Sequence, residues 1–129
     1  YSSVLDLFSG SGIMGLEASS RGASCVTFVE KHGKSLALMK ENSLKFHGVD
    51  YFFIKMDVFS FLKEGRSFDL IFADPPYGRF DLKTLVETIY ERLNKNGKLI
   101  LECEKSQASF FDADVTDYGN SRILTWTNL

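Results

Sequence analysis

The sequence predicts a single α/β domain whose mostly parallel sheet carries helices on both faces. Apolar runs of strand length alternate with longer stretches of helical character between residues 4 and 103. These runs are apolar throughout rather than at every second position, which is typical of parallel strands buried on both sides. The alternation then stops, and two strand-like segments follow with Gly119-Asn120-Ser121 between them. We therefore expect an antiparallel pair at one edge of the sheet.

Seven strands and four helices are expected in chain order. The strands span Val4–Phe8, Cys25–Glu30, Tyr51–Met56, Phe68–Ala73, Lys98–Cys103, Val115–Tyr118 and Arg122–Thr127. Helices are expected at Ile13–Arg21, at Gly33–Phe46, at Val58–Lys63 and after Asp81. The last helix has apolar residues at helical spacing, namely Leu82, Leu85, Val86, Ile89, Tyr90 and Leu93. Asp81 suits its N-cap, and Asn96-Gly97 suits its end.

Composition and charge fit an ordinary globular domain. Of the 129 residues, 44% are hydrophobic, and the net charge of −2 gives no overall sign of nucleic-acid binding. No apolar run reaches the length of a membrane span, and no signal peptide opens the chain. Cys25 and Cys103 lie in apolar runs without metal-ligand spacing, so we expect a reduced, cytoplasmic protein. The domain, residues 1–129, starts at Tyr1 directly before its first strand, so we expect native residues upstream.

The most informative motif is Asp74-Pro75-Pro76-Tyr77, which follows the apolar run Phe68–Ala73. Two consecutive prolines remove two backbone donors and fix φ, so the strand ends in a stiff loop with outward carbonyl oxygens. A carboxylate, unpaired carbonyl oxygens and an aromatic ring suit the exocyclic amino group of a planar base, which donates two hydrogen bonds. The simpler interpretation is a proline turn in which Asp74 is a local cap.

The first strand leads into a glycine-rich loop of the kind that holds an adenosine cofactor. Gly10, Gly12 and Gly15 fit the G-x-G-x-x-G pattern, in which glycines let the backbone approach a ligand closely. Glu30 ends the second strand eighteen residues after Gly12 and suits two ribose hydroxyls. These features alone fit a nicotinamide dinucleotide or any other adenosine cofactor.

Two further acidic residues favour an adenosyl-sulfonium cofactor over a dinucleotide. Asp6 lies within the first strand, where a negative charge suits a sulfonium amino acid and opposes a pyrophosphate. Asp57 ends the third strand, where it suits the adenine amino group while the Val58 amide donates to the ring. Asp57 equally suits a helix N-cap. The amine-acceptor loop at Asp74 adds to the same preference.

Together these motifs resemble those of the class I S-adenosylmethionine-dependent methyltransferases that act on exocyclic amino nitrogens. The matching segments are DLFSGSG at 6–12, VEK at 29–31, Asp57-Val58 and Asp74-Pro75-Pro76-Tyr77. Within this class, the bacterial small-subunit ribosomal RNA guanine-N2 methyltransferases are especially similar. The segments that match them are LDLFSGSGIMGLEASSRGA at 5–23, VTFVEK at 26–31, FDLIFADPPY at 68–77 and Tyr118-Gly119. The resemblance covers nearly the whole chain. The family's N-terminal basic arm and helix have no counterpart in this sequence.

The resemblance implies a three-layer Rossmann-like fold with sheet order 3-2-1-4-5-7-6 and strand 7 antiparallel. It also implies that S-adenosylmethionine is bound by Asp6, Phe8, Ser9, Gly10, Gly12, Glu30, Lys31, Asp57, Val58 and Asp74. The glycines and their neighbours would hold the methionine end, Glu30 the ribose, and Asp57 with Val58 the adenine. The catalytic residues would be Asp74, Pro75, Pro76 and Tyr77. No metal is expected, because the leaving group is already a sulfonium.

The expected reaction is methyl transfer to guanine N2 of small-subunit ribosomal RNA. The protein is expected to be a monomer with no membrane partner. Asp74 and the Pro75 carbonyl would accept the two amine protons, which favours the reactive form of the nitrogen. Tyr77 would stack on the base, and Arg79 would contact a phosphate of the RNA or of the assembling small subunit. The alternatives are an adenine-N6 methyltransferase on DNA or RNA, and a non-catalytic module that binds the cofactor or RNA.

Overall fold

The computed structural model describes residues 2–129, in which seven strands form one sheet with helices on both faces. The strands are β1 Ser3–Leu7, β2 Cys25–Glu30, β3 Asp50–Lys55, β4 Phe68–Ala73, β5 Leu93–Glu104, β6 Asp114–Tyr118 and β7 Ser121–Thr127. The helices are α1 Ile13–Ser20, α2 Gly33–Ser43, α3 Val58–Leu62 and α4 Leu82–Tyr90. Within residues 2–129, every helix is too short or too polar to cross a membrane.

The sheet has the order β3-β2-β1-β4-β5-β7-β6, which confirms the expected topology. The pairs from β3 to β5 are parallel, whereas β7 runs antiparallel to both β5 and β6. Since β1 lies between β2 and β4, the strand order reverses at β1. In open parallel sheets a ligand binds beyond the carboxyl ends of the strands at such a reversal.

Two apolar clusters, one on each face of the sheet, form the core. The consecutive β1 residues Val4 and Leu5 belong to different clusters, because neighbouring side chains of a strand point to opposite faces. Val4 packs with Phe28 and Met39 under α1 and α2, whereas Leu5 packs toward α3 and α4. The apolar stripe of α4 is buried at Leu85, Val86 and Ile89, as its spacing predicts. Asp81 caps this helix by accepting hydrogen bonds from Lys83 N and Thr84 Oγ1.

The junction between α4 and β5 differs from the expectation. The helix ends at Tyr90, and Leu93 already pairs with Phe68 as the first residue of β5. Asn96 and Gly97 therefore lie inside the strand, near a shift of register, and the prediction that they end the helix is wrong. A Cβ at Gly97 would lie 2.8 Å from Asn94 O and 2.9 Å from Asp69 O, so only glycine fits there.

The end of α2 also differs slightly from the expected Phe46. The helix ends at Ser43, and three tighter turn bonds follow, of which the last joins Phe46 N to Ser43 O at 3.1 Å. Such i to i−3 bonds are common in the last turn of a helix. The remaining helix and strand ends agree with the predicted ends to within one or two residues, apart from the start of β5.

Candidate active site

A cleft of about 590 Å³ opens where the carboxyl ends of β1, β2, β4 and β5 meet. It brings together eight of the predicted site residues from three separate loops: Phe8, Glu30, Lys31, Asp74, Pro75, Pro76, Tyr77 and Arg79. The other lining residues are His32, Phe80 and Glu102. The cleft thus contains parts of the predicted cofactor site and the whole predicted amine site.

The glycine-rich loop turns sharply because three of its residues have positive φ. Phe8 has φ 57°, Gly10 φ 53° and Gly12 φ 77°. The turn is held by the Gly12 amide, which donates to Ser9 O at 2.7 Å, and by the Ser9 hydroxyl, which donates to Val29 O at 3.2 Å. A Cβ at Gly12 would collide with Met39, whereas a Cβ at Gly10 would have Phe8 O as its nearest neighbour, at 4.0 Å. Ser9, Gly10 and Gly12 therefore build the loop beside the cleft without lining it.

Glu30 lies at the end of β2, and two backbone amides hold its carboxylate. Oε1 accepts from Gly10 N at 3.2 Å, and Oε2 accepts from Lys31 N at 2.6 Å. Each carboxylate oxygen can accept a further hydrogen bond, and the side chain lines the cleft. The arrangement fixes two acceptors next to each other, as a pair of ribose hydroxyls requires.

Asp6 lies behind the glycine-rich loop and does not line the cleft. Its carboxylate is buried and accepts a hydrogen bond from Gly15 N, in α1, at 3.0 Å. Burial raises the pKa of Asp6 from its ordinary 3.8 to about 7; the Gly15 hydrogen bond opposes the rise, and the charges of Asp74 and Glu30 add to it. The structure gives this residue an anchoring contact, and its predicted contact with the cofactor stays a prediction.

Asp57 caps α3, which is one of the two roles that its position predicts. Its Oδ2 accepts from Ser60 N at 3.1 Å and from Ser60 Oγ at 3.4 Å. Val58 is buried in the core. Neither residue lines the cleft, so their contact with an adenine ring stays a prediction.

Asp74 follows β4 directly and is the first residue of the proline loop. It lines the cleft. Tyr77 exposes 51% of its surface, which leaves its ring available for contact with a partner. Behind it, Phe8 and Phe80 meet edge to face with their ring centroids 5.1 Å apart. The loop therefore presents a carboxylate and an exposed aromatic ring to the cleft, and their role as an amine site stays a prediction.

Glu102 is a cleft residue that the sequence analysis missed. It is half-buried on β5, next to Leu101, which pairs with Ala73 of β4. Burial, together with the charge and hydrogen bonding of Glu102, raises the pKa of Asp74 to about 6. A signal was present, because Glu102 interrupts the apolar run Lys98–Cys103. Phe80 was also missed, since an aromatic residue in a loop has no distinctive spacing.

A larger hollow of about 950 Å³ lies between α4 and β7, away from this cleft. It contains none of the predicted site residues, and acidic side chains such as Glu87 and Asp114 surround an apolar floor that includes Trp126. Within residues 2–129, no group of His, Cys, Asp or Glu is arranged to hold a metal ion. The chemistry of the lining residues, rather than the volume, therefore identifies the smaller cleft as the candidate active site.

Known proteins resemble this chain along most of its length. The family described as conserved hypothetical protein 95 matches residues 1–123. The ribosomal RNA small subunit methyltransferase D of Buchnera aphidicola is 31% identical over 121 residues, which are 91% of this chain and 63% of the relative. The protein of the same name from Haemophilus influenzae is 34% identical over 114 residues, which are 82% of this chain and 58% of the relative. The chain thus spans less than two thirds of either relative's length.

Solved structures show the same architecture. A conserved hypothetical protein from Streptococcus pyogenes superposes with a TM-score of 0.89 at 27% identity, covering 100% of this chain and 88% of the other. An S-adenosylmethionine-dependent methyltransferase from Agrobacterium tumefaciens superposes with a TM-score of 0.77 at 23% identity, covering 98% and 56%. The second likeness shows the fold alone. With a family match over residues 1–123 and a sheet order shared with the Rossmann-like methyltransferase fold, the chain belongs to the family described as conserved hypothetical protein 95, in which its similar relatives are named ribosomal RNA small subunit methyltransferase D.

Proposed function

We propose that this protein transfers a methyl group from S-adenosylmethionine to guanine N2 of small-subunit ribosomal RNA. The observation that carries the proposal is the cleft in which Glu30 and the loop Asp74-Pro75-Pro76-Tyr77 lie together. Methyl transfer requires donor and acceptor side by side, whereas a binding module does not, so a ribose-type carboxylate and an amine-accepting loop in one cleft support an enzyme. The relatives from Buchnera aphidicola and Haemophilus influenzae, named as ribosomal RNA methyltransferases, support the same activity.

The residues beside the cleft fit S-adenosylmethionine. Glu30 offers two oriented acceptors to the ribose, and Gly10, which carries no side chain, lets the methionine end approach the backbone closely. The carboxylates of Glu30, Asp74 and Glu102 outnumber the cations of Lys31 and Arg79 in the lining, which suits a positively charged sulfonium. When bound, the cofactor supplies a methyl group activated by that sulfonium.

The protein contributes mainly by orienting the target amine. The nitrogen lone pair of an exocyclic base amine is delocalised into the ring, so the amine is a poor nucleophile. Asp74 and the Pro75 carbonyl accept its two protons and favour the form in which the lone pair is localised. This interaction strengthens toward the transition state, which is the condition for raising the rate. Tyr77 stacks on the base after it has left its helix or loop.

The RNA reaches the cleft beside Arg79. This residue is exposed and lines the cleft two positions after Tyr77. Within residues 2–129 it forms no ion pair, so its guanidinium is available for a phosphate of the target strand. A phosphate contact adds affinity that falls with salt concentration and does not depend on sequence.

The test uses the full-length natural chain, labelled methyl donor and small ribosomal subunits from cells that lack this methylation. Nucleoside mass spectrometry after digestion identifies the product. Labelled N2-methylguanosine supports the proposal, and Asp74→Ala, which removes the acceptor, is the inactive control. N6-methyladenosine would move the substrate to the alternative base. Absence of label in the presence of measured cofactor binding would refute the proposed activity.

A further inference from the structure

Two carboxyl groups lie side by side in the cleft on neighbouring strands. Ala73 of β4 pairs with Leu101 of β5, so Asp74 and Glu102 are the next residues along two parallel strands. Adjacent strands are about 4.8 Å apart, so the two residues are neighbours across the strands, and Glu102 helps to raise the pKa of the Asp74 carboxyl. Both side chains line the cleft. We refer to these two residues as the acceptor pair.

The acceptor pair has no basic partner in the part of the chain that the structure describes. The ion pairs among residues 2–129 are Arg21–Glu17, Arg92–Glu91 and Arg122–Asp117, and none includes a cleft residue. Two neighbouring carboxylates repel each other when no cation or donor is present. A ligand that presents several adjacent N–H groups would relieve this repulsion through charge-assisted hydrogen bonds.

We infer that Glu102 selects guanine by accepting a hydrogen bond from the base N1–H while Asp74 accepts from the adjacent amino group. This inference rests on the proposed function and specifies its substrate. Guanine carries N1–H and the N2 amino group side by side on its Watson–Crick edge, so it offers one donor to each member of the acceptor pair. Enzymes that act on a flipped base read it through hydrogen bonds to this edge.

Adenine presents the opposite pattern at the same position. Its N1 carries no proton, so a lone pair would face the Glu102 carboxylate, which would lose water without gaining a donor. A site built to bind an N–H group rejects an analogue that lacks it by factors of about 10⁴. The loop at Asp74 accepts either amino group, and Glu102 therefore supplies the distinction that the loop lacks.

The test separates the N1–H from the amine that reacts. The methylated guanosine is first mapped with the full-length wild-type protein, and RNA is then prepared with 2,6-diaminopurine at that position. Diaminopurine keeps the N2 amine but has an unprotonated N1. We expect kcat/KM of the wild-type protein to fall at least about 100-fold on this RNA, because Glu102 then faces an acceptor. In Glu102→Gln the side chain can donate as well as accept, so the ratio between the two RNAs should shrink at least about tenfold.

The controls distinguish specificity from damage to the fold. Glu41→Gln changes an exposed carboxylate on α2 that lines neither this cleft nor the adjoining pocket beneath the proline loop, and it should keep the wild-type ratio. A purely structural role of Glu102 would lower both rates equally and leave the ratio unchanged, which would overturn the inference. Equal wild-type rates on the two RNAs would overturn it while leaving the proposed function intact. Methylation of adenine N6 instead of guanine N2 would refute the proposed function and the inference together.

Discussion

The amide of Gly15 donates a hydrogen bond to the buried carboxylate of Asp6 at 3.0 Å, which ties the first turns of α1 to the interior of β1. The glycine-rich loop lies between these two residues, so its ends are fixed from within the protein. The same burial raises the pKa of Asp6 to about 7. The contact that holds the loop is therefore made by a group that changes charge near neutral pH.

We expect Asp6→Asn to remove a pH dependence of stability. Between pH 3.8, where an unfolded Asp titrates, and about 7, the folded state binds more protons than the unfolded state. The stabilisation from Asp6 is therefore complete below pH 3.8 and is lost as pH rises to about 7. Each unit of pKa difference corresponds to about 1.4 kcal/mol, so the loss is at most about 4 kcal/mol.

Urea unfolding between pH 4 and 8 measures this difference. Asn keeps an acceptor for Gly15 N but does not titrate, so the variant should gain stability relative to the wild type as pH rises. Asp50→Asn, at an exposed carboxylate, should follow the wild-type curve. Parallel curves for Asp6→Asn and the wild type would contradict the assignment.

Replacement of Asp74 should stop methyl transfer while leaving the cofactor bound. Asp74→Ala removes an acceptor for the amine protons, and kcat should fall by at least about 100-fold, as when one preorganised group is lost from an active site. Affinity for S-adenosylhomocysteine, measured by calorimetry, should change little because Glu30 and the glycine-rich loop are intact. Asp81→Asn, which keeps a helix cap outside the cleft, is the control. Retained activity in Asp74→Ala would exclude the acceptor role.

Methyl transfer should decrease as pH falls through about 6. Protonation turns one oxygen of Asp74 into a donor and weakens the carboxyl as an acceptor, and burial and Glu102 raise its pKa to about 6. The other charged or titratable groups that line the cleft are Glu30, Lys31, His32, Tyr77, Arg79 and Glu102, with Asp6 behind the loop.

A pH profile of kcat/KM for the wild type and Glu102→Gln checks this assignment. Removal of the neighbouring negative charge should move the acidic midpoint to lower pH. Glu41→Gln, on the exposed side of α2, should leave the midpoint unchanged. A midpoint that does not move in Glu102→Gln would show that the two carboxyls are not coupled.

Replacement of Glu30 should weaken cofactor binding more than it weakens the fold. Glu30→Ala removes charged hydrogen bonds to the ribose, so the binding free energy of S-adenosylhomocysteine should become less favourable by about 1.5–3 kcal/mol. Isothermal titration calorimetry measures the change, with Glu41→Ala on the exposed side of α2 as the control. Unchanged affinity in Glu30→Ala would place the ribose elsewhere.

Replacement of Gly97 should destabilise the protein because no space exists for a Cβ. The new atom would lie within 3 Å of two backbone oxygens, of Asn94 and Asp69, neither of which can move as a side chain would. We expect Gly97→Ala to lower the free energy of unfolding by about 1–3 kcal/mol or more. Gly33→Ala, where the nearest atom is Lys55 Nζ at 3.8 Å, should be neutral or slightly stabilising. Equal unfolding midpoints would contradict the close approach at Gly97.

Sequence patterns predicted the features that depend on residues close together in the chain. The strands from β1 to β4, the cap at Asp81 and the stiff loop at Asp74 follow from apolar runs, capping chemistry and proline. The order of the sheet came from the family resemblance, since strand spacing alone does not fix it. Leu93 continues the apolar stripe of α4, which predicts a helical residue. In the structure it belongs to β5 and pairs with Phe68 of β4. Periodicity within one segment cannot reveal such a partner.

The candidate site shows the same division between local and long-range information. Glu30 and Asp74 carry sequence motifs, and the structure brings both to one cleft. Glu102 lies in a plain strand and becomes a site residue only because β5 pairs with β4. The contact between Asp6 and Gly15 likewise depends on how α1 returns over β1, which a motif does not describe.

The position of β7 between β5 and β6 restricts the sequence of events during folding. β6 precedes β7 along the chain but pairs with it from the outside, so β6 has no position on the sheet until β7 is present. We expect the two strands to form a hairpin and to join β5 as one unit. Until the hairpin docks, β5, the strand of Glu102, has an unpaired edge. The hairpin of a second molecule can pair with this edge in the same register. The docking of this hairpin is therefore the step that separates a self-contained molecule from a strand-exchanged dimer.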